Sequence, residues 1–223
     1  MEKFSVKEKF ETKIINIWSD QKYNELEIIN RGFAIQDNVI INSIMFIGIN
    51  PSFNETDTEI KQEFYNIEQR GKSYQYFNKF KEISEYLDHH WTHFDLLFFR
   101  ETNQNYINNI LKMDNNIGVD FIFSQLEISK QVLILAKPKV LIVSNTTARY
   151  FLGFDKSVSK NEDIWMGFDF VFDEKLGTHK IINSKELENT PVFFTSMLTG
   201  QRALDKGSLE RLMWHIRFVI NQN

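Results

Sequence analysis

The sequence has no cysteine and little proline or glycine. Without cysteine the chain can form no disulfide, no thiolate zinc site and no cysteine-held iron–sulfur cluster. Three prolines and nine glycines among 223 residues leave no linker-like or low-complexity stretch. We therefore expect a single domain over residues 1–223, with an N-terminal helical extension and lead-in at 1–43 and a hairpin inserted at 155–190.

Long apolar runs are missing as well. No run reaches the length of about 18 residues that a membrane-spanning helix needs, and the polar first residues are not typical of a secretory signal. We therefore expect a cytoplasmic protein with no membrane partner. We also expect a monomer that needs no cofactor.

The chain has no excess of positive charge. Its 26 Lys and Arg against 30 Asp and Glu give a net charge of −4. Because neutralisation of phosphates by Lys and Arg supplies most non-specific affinity for DNA, this balance is an argument against a strongly DNA-dependent role. A locally basic rim on an acidic protein can still guide a nucleic-acid backbone.

An apolar run at 44–49 ends abruptly at a corner, Gly48 to Ser52, and it predicts the central strand. Apolar, β-branched and aromatic residues in succession are typical of a strand buried on both faces. Gly48 removes a side chain where another group approaches, and Pro51 ends the ladder pairing. Asn50 should therefore lie in a stiff turn at the carboxyl edge of the sheet, where open α/β sheets bind ligands. The alternative is ordinary turn chemistry.

The segment Ile47-Gly48-Ile49-Asn50-Pro51-Ser52 resembles the first motif of the uracil-DNA glycosylase superfamily, particularly the Gly-Ile-Asn-Pro-Gly of its mismatch-specific and thymine-DNA glycosylase branch. The resemblance implies a three-layer α/β/α sandwich with a mainly parallel four-stranded central sheet. It also implies base excision from DNA after base flipping. Asn50 would be catalytic, positioning a water or shielding positive charge at C1′. The implied substrate-binding residues of this segment are Gly48, Ile49, Pro51, Ser52 and Phe53.

The same resemblance implies an aromatic ring that stacks on the flipped base, and the candidates are Tyr76 and Phe77. Their alternative role is a helix core stripe, because Tyr76, Phe80 and Ile83 keep helical spacing. A buried strand over 94–99 would then deliver polar residues to the edge that carries Asn50. By the resemblance, Arg100 or Asn103 would read the base, and surface turn residues are the alternative.

The closing segment, a strand from residue 191 followed by a small-residue loop and a helix from about residue 208, lies where the superfamily carries its second motif. The His and Pro of that motif are absent here. By position, Ser196 would contact substrate and Leu198 would wedge into the duplex. The further candidate DNA contacts are Thr199, Gly200, Gln201, Arg202 and Lys206. A solvated helix start is the alternative.

Helices are predicted at 4–20, in pieces over 60–87, and at 118–136, followed by a strand at 140–143 and a capped helix ending at Gly153. Residues 21–43 are predicted to form a lead-in or a small hairpin before the central strand, and a hairpin is predicted around Gly177. The three histidines at 89, 90 and 93 are interpreted as structural, so no metal site is expected.

Three functions remain open. The first is a glycosylase for uracil or another deaminated or mismatched base in DNA. The second is a non-catalytic relative that binds single-stranded or damaged DNA. The third is a protein that binds a small nucleobase or nucleoside in the same pocket.

Overall fold

A computed structural model describes residues 1–53, 61–70, 75–103, 105–113, 116–154 and 165–222. The strands are β1 Lys3–Ser5, β2 Gly32–Gln36, β3 Asn38–Ile40, β4 Ile44–Gly48, β5 Lys61–Tyr65, β6 Trp91–Asp95, β7 Val140–Val143, β8 Phe170–Asp173, β9 Thr178–Ile181 and β10 Pro191–Phe194. The helices are α1 Val6–Ser19, α2 Ile67–Arg70, α3 Asn78–Leu87, α4 Asn105–Leu111, α5 Ile117–Ala136, α6 Thr146–Leu152 and α7 Lys206–Gln222. No helix in these ranges is long and apolar enough to cross a membrane.

The central sheet has six strands in the order β6-β4-β7-β10-β9-β8. The first four run parallel, while β9 is antiparallel to β10 and β8 is antiparallel to β9. The prediction of a four-stranded sheet was therefore wrong. The β8–β9 hairpin is not a separate insert, because it pairs with the free edge of β10 and extends the sheet.

Alternate residues of the parallel strands point to opposite faces, as the two-residue period of a strand requires. In β4, Met45 and Ile47 pack into one hydrophobic cluster, whereas Ile44 and Phe46 pack into another. Helices α1, α5 and α6 contribute to the first cluster, and α3 and α7 contribute to the second. Helices therefore cover both faces of the sheet.

Two small sheets lie beside the central one, and both correct the prediction. Strand β2 pairs in parallel with β5, and β1 pairs antiparallel with β3. The segment 61–65 is thus a strand although it was predicted to be helical, and β2 and β3 do not form a hairpin with each other. Local propensity was overridden in β5 because partner and packing, more than sequence, decide whether such a polar segment becomes a strand.

Apart from strand β6, the other predicted elements are confirmed. Ser5 caps α1 by accepting a hydrogen bond from the Glu8 amide at 3.0 Å. Asn145 caps α6, and Gly153 ends that helix at φ +115°, a conformation that favours glycine. Helix α5, strand β7, the β8–β9 hairpin and α7 also lie where the pattern placed them, within a few residues.

Strand β6 begins and ends earlier in the sequence than predicted. It covers 91–95, whereas the apolar pattern predicted 94–99. The buried residues 96–99 leave the sheet and run between β2 and α5, where the Phe98 amide bonds Gln125 Oε1 at 2.7 Å and the Phe98 carbonyl accepts from Ala34 at 3.0 Å. An apolar run marks burial, and burial continues here after the strand has ended.

Candidate functional site

The corner after β4 is held by the segment that follows β6. The carbonyls of Gly48, Ile49 and Pro51 accept hydrogen bonds from the amides of residues 96, 97 and 101, at 3.2, 2.8 and 2.9 Å. The two chain segments therefore continue side by side beyond the ends of their strands. This pairing places the corner and residues 95–101 at one edge of the sheet.

Asn50 holds this corner in place. Its Nδ2 donates to the Glu101 carbonyl at 2.6 Å and to the Pro51 carbonyl at 3.0 Å. Because both hydrogen bonds use the amide nitrogen, a substrate or water would meet Asn50 through Oδ1. The catalytic role of Asn50 stays a prediction, and the structure adds a positioning role.

A carboxyl and an imidazole converge on Gly48. Gly48 and Asp95 are partners in the β4–β6 register. A Cβ on residue 48 would overlap Asp95 Oδ1 and would lie 2.8 Å from His93 Nε2. The carboxyl can therefore reach the backbone of the strand end only because residue 48 is glycine.

Burial controls the charge of this pair. The His93 side chain is 3% exposed and that of Asp95 is 11% exposed, with Nε2 and Oδ1 separated by 3.7 Å. Burial lowers the pKa of His93 to about 3 and raises the pKa of Asp95 to about 7. At neutral pH the imidazole is uncharged, and the carboxyl is near the midpoint of its titration. A carboxyl with such a pKa is suited to general acid–base chemistry.

Aromatic rings enclose His93. Phe80 stacks on the imidazole at 5.4 Å, and Phe77 and Tyr76 meet it edge-on at 5.5 and 5.7 Å. Phe77 is buried, whereas Tyr76 is 43% exposed. Desolvation, and then the Asp95 carboxyl, raise the pKa of the Tyr76 phenol, so it stays protonated. The structure therefore brings both predicted stacking rings to the site.

The nitrogens of His93 are unusual. Within the described ranges, neither Nδ1 nor Nε2 has a hydrogen-bond partner, although both are buried. Buried polar atoms are normally hydrogen-bonded, and each exception calls for an explanation. A polar group of a ligand placed beside Gly48 and Asp95 would supply such a partner.

Two arginines flank Phe53 next to this corner. The guanidinium carbons of Arg31 and Arg100 lie 4.6 and 5.4 Å from the Phe53 ring centre. Arg31 also forms an ion pair with Glu101. Asn103 instead serves the backbone, because its Oδ1 accepts from the Asn105 amide at 3.1 Å at the start of α4. Of the two predicted base readers, Arg100 is therefore packed beside Phe53, and Asn103 is engaged in a turn.

The 196–206 loop presents a different surface from the one predicted. Leu198 is 4% exposed and packs in the cluster of α3 and α7, so it does not project as a wedge. A leucine that follows a buried strand continues into the core, and its neighbour Met197 is the exposed apolar residue. Thr199 is half-buried, and Lys206 pairs with Glu210 at 3.8 Å. The other predicted contacts are exposed, namely Ser196, Gly200, Gln201 and Arg202.

Sequence reasoning missed His93 and Asp95 as site residues. They were missed because the strand was predicted at 94–99. In the structure β6 ends at residue 95, so Asp95 is the polar residue at the edge of the sheet. His89, another of the three histidines, has a structural contact, since its Nδ1 bonds the Leu87 carbonyl at 2.8 Å. Among the residues that the structure describes, no group of three or more His, Asp or Glu side chains could hold a metal ion.

Comparison with protein-family models, with curated proteins and with solved structures finds no match to this chain.

Proposed function

We propose that this protein hydrolyses the N-glycosidic bond of uracil, or of another deaminated or mismatched base, in DNA, with the flipped nucleotide bound at Gly48 and Asp95. The observation that carries the proposal is the approach of a buried carboxyl to the glycine of an Asn-Pro corner. It is supported by the resemblance of that corner to the uracil-DNA glycosylase superfamily. Four parallel strands with helices on both faces are consistent with the fold which that resemblance implies.

The reaction requires charge stabilisation and a proton acceptor. The bond between C1′ and the base nitrogen breaks, and its electron pair leaves with the base. Water adds to C1′ and gives its proton to ionised Asp95. The carboxylate also stabilises the positive charge that develops on the sugar. Because only ionised Asp95 can act in this way, activity should rise with pH through about 7 and then level off.

The other residues bind and orient the nucleotide. Neutral His93 can donate a hydrogen bond to the departing base, whose negative charge grows as the bond breaks. Phe77 or Tyr76 would stack on the base, and Asn50 Oδ1 would orient the attacking water. Exposed Arg202 and Lys206 would contact phosphates. These residues all come from one chain, so the proposed site is complete without a second copy.

The test is excision from oligonucleotides that contain uracil, hypoxanthine, xanthine or mismatched thymine, followed by alkali to break the strand at abasic sites. We expect strand breaks with the parent and none with Asp95→Asn. Asp88→Asn is a matched control, because it makes the same change at an exposed residue. The absence of breaks across all four substrates would reject the proposal.

A nucleobase or nucleoside is the second candidate ligand, and the buried position of Leu198 favours it. Without a wedge at this residue, the site needs another way to open a duplex, whereas a free base needs no opening. Calorimetric titration with uracil, uridine and short DNA separates the two cases. Binding of DNA alone, lost in the double variant Arg202→Ala, Lys206→Ala, would reject the small ligand.

A further inference from the structure

The segment 96–99 connects the two parts of the candidate site. Asp95 precedes it, and Glu101, whose carbonyl accepts from Asn50 at 2.6 Å, lies two residues beyond it. All four residues of the segment are fully buried, although β6 ends at Asp95. A buried backbone outside a strand still needs a hydrogen-bond partner for its amides and carbonyls. The position of the site edge therefore depends on the groups that supply these partners.

Hydrogen bonds from two directions meet the backbone of segment 96–99. The amides of residues 96 and 97 donate to the carbonyls of Gly48 and Ile49, at 3.2 and 2.8 Å. The amides of residues 98 and 99 both donate to Gln125 Oε1 instead, at 2.7 and 3.3 Å. The carbonyl of residue 96 accepts from Ser129 Oγ at 2.7 Å. Two side chains of α5 thus provide three of the hydrogen bonds that hold this backbone.

Gln125 and Ser129 are about one helical turn apart, so they lie on the same face of α5. Both are fully buried, and the other buried residues of this helix are apolar or glycine. Gln125 Nε2 donates to the carbonyl of Phe121 at 3.0 Å, which leaves Oε1 for the segment. Polar side chains are costly to bury without hydrogen bonds. The backbone of segment 96–99 supplies these bonds and so explains why two polar residues lie in this apolar core.

These two side chains lie on the face of the sheet opposite to the Asp95 carboxyl. Helix α5 packs in the first hydrophobic cluster together with Phe94 of β6. Asp95 is the next residue of the strand, so its side chain points to the other face, where Phe80 stacks on His93. Both polar residues of α5 therefore act on the carboxyl through the backbone rather than by direct contact.

We propose that Gln125 and Ser129 are positioning residues that hold both ends of segment 96–99 at the corner. The carboxyl of Asp95 then keeps its burial, and the carbonyl of Glu101 keeps its hydrogen bond from the corner. The inference rests on the proposed function only where the reaction is measured, because the burial of the carboxyl can be followed without any substrate.

The test is an NMR titration of the Asp95 carboxyl carbon, assigned by the loss of its signal in Asp95→Asn. Gln125→Met removes the acceptor of two buried amides, and Ser129→Ala removes a hydroxyl donor. Because backbone groups left without partners move toward water, water should reach the carboxyl as well. The pKa of Asp95 should then fall from about 7 toward 3.8 in both variants. Its described titratable neighbours, His93 and Tyr76, are the same in all variants.

The same two variants should slow excision without weakening substrate binding. Displacement of a reacting group by about 1 Å can reduce a rate by about 10²-fold. We therefore expect kcat for the uracil oligonucleotide to fall by about 10- to 100-fold in Gln125→Met and Ser129→Ala. The KM should stay close to that of the parent, because both residues lie behind the sheet from the proposed nucleotide site.

Two control variants on α5 match these changes. Ser124→Ala removes a hydroxyl that hydrogen-bonds the Tyr23 hydroxyl at 3.2 Å. Gln131→Met removes a side-chain oxygen that accepts from Lys13 Nζ at 3.2 Å. Neither of these hydrogen bonds involves segment 96–99. Both variants should keep the pKa of the site carboxyl and the kcat of the parent.

The outcomes separate positioning from the reaction. A lower pKa of Asp95 in Gln125→Met and Ser129→Ala, with unchanged controls, supports the inference even if the parent excises no base. The same pKa in the parent and in both variants overturns it, and excision by the parent in that case leaves the proposed function intact. An equal fall in the controls also overturns it. If circular dichroism shows that Gln125→Met does not fold, Ser129→Ala, which removes a single oxygen atom, decides alone.

Discussion

The raised pKa of the Asp95 carboxyl makes the free energy of unfolding depend on pH. Its pKa is about 7 in the folded chain against 3.8 for an exposed aspartate, so the folded state binds this proton more tightly. The contribution to stability is fully present below about pH 4 and is lost as pH rises through 7. His93, with its pKa lowered to about 3, contributes the opposite dependence below pH 6.5.

Asp95→Asn removes only the first of these two dependences. The free energy of unfolding of the variant, relative to the parent, should therefore rise by about 4 kcal/mol between pH 4 and pH 8. Urea unfolding over this pH range measures the difference. Asp88→Asn is the control, because it makes the same change at an exposed residue. A difference that stays constant with pH for Asp95→Asn would contradict this account of the pair.

Gly48→Ala tests the close approach of the carboxyl. The added methyl overlaps Asp95 Oδ1, so the buried pair must move, at a cost of about 1–3 kcal/mol in unfolding free energy. Excision should be lost as well. Gly207→Ala, in α7, is the control. Its added methyl lies at an ordinary contact distance of 3.4 Å from Asp205 Oδ1, and alanine is a better helix former than glycine. Equal stability of the two variants would reject the clash.

At the residue scale, the sequence predicted the corner but not the acid–imidazole pair. Gly48, Asn50 and Pro51 form a local pattern that can be read without knowing any pairing partner. Asp95 becomes a site residue only through its register with Gly48. His93 was grouped with its neighbours in sequence, although its contacts are with Phe80 and Tyr76 in space. His93 and Asp95 lie two residues apart on one face of β6, but their approach to Gly48 depends on a strand pairing that sequence spacing does not show.

Among the elements, those with local signals were predicted best. Helix α6 combines a capping Asn145 with a terminal Gly153, and both were recognised. Strand β5 has only two apolar residues and depends on pairing with β2, so its sequence favoured a helix. Strand β6 was shifted because the buried segment 96–99 extends its apolar run beyond the sheet. A predicted strand boundary is wrong where side-chain burial continues beyond the last paired residue of the strand.

The α6 cap gives an element-scale prediction. Asn145 Oδ1 accepts from the amides of Thr147 and Ala148 at 2.8 and 3.0 Å. Asn145→Ala should lower the free energy of unfolding by about 1 kcal/mol. The measurement is the urea midpoint at constant slope. Asn108→Ala, at an exposed position inside α4, should not be destabilising, and an equal loss in both variants would exclude a capping effect.

For the whole molecule, the uninterrupted apolar run at 44–49 predicted a strand buried on both faces, and helices do cover both faces of the mainly parallel sheet. The number of strands was wrong because a hairpin with polar positions gives no sign of which edge it joins. The N-terminal segment precedes the central strand in sequence, but its apolar residues at helical spacing predicted a packing helix, and α1 belongs to the first hydrophobic cluster. Its Trp18 meets Phe33 and Phe121 at 5.0 and 5.6 Å.

Deletion of residues 1–20 should therefore prevent folding. Burial of a large apolar side chain contributes about 1.5–3 kcal/mol, and α1 buries five such residues, Val6, Phe10, Ile14, Ile17 and Trp18. Their combined contribution is of the same order as the whole stability of a domain, about 5–15 kcal/mol. The truncated chain should show no near-UV circular dichroism and no cooperative thermal transition. Ile15→Ala in the full chain, at an exposed position of the same helix, should keep both. A cooperative transition in the truncated chain would make α1 a dispensable extension after all.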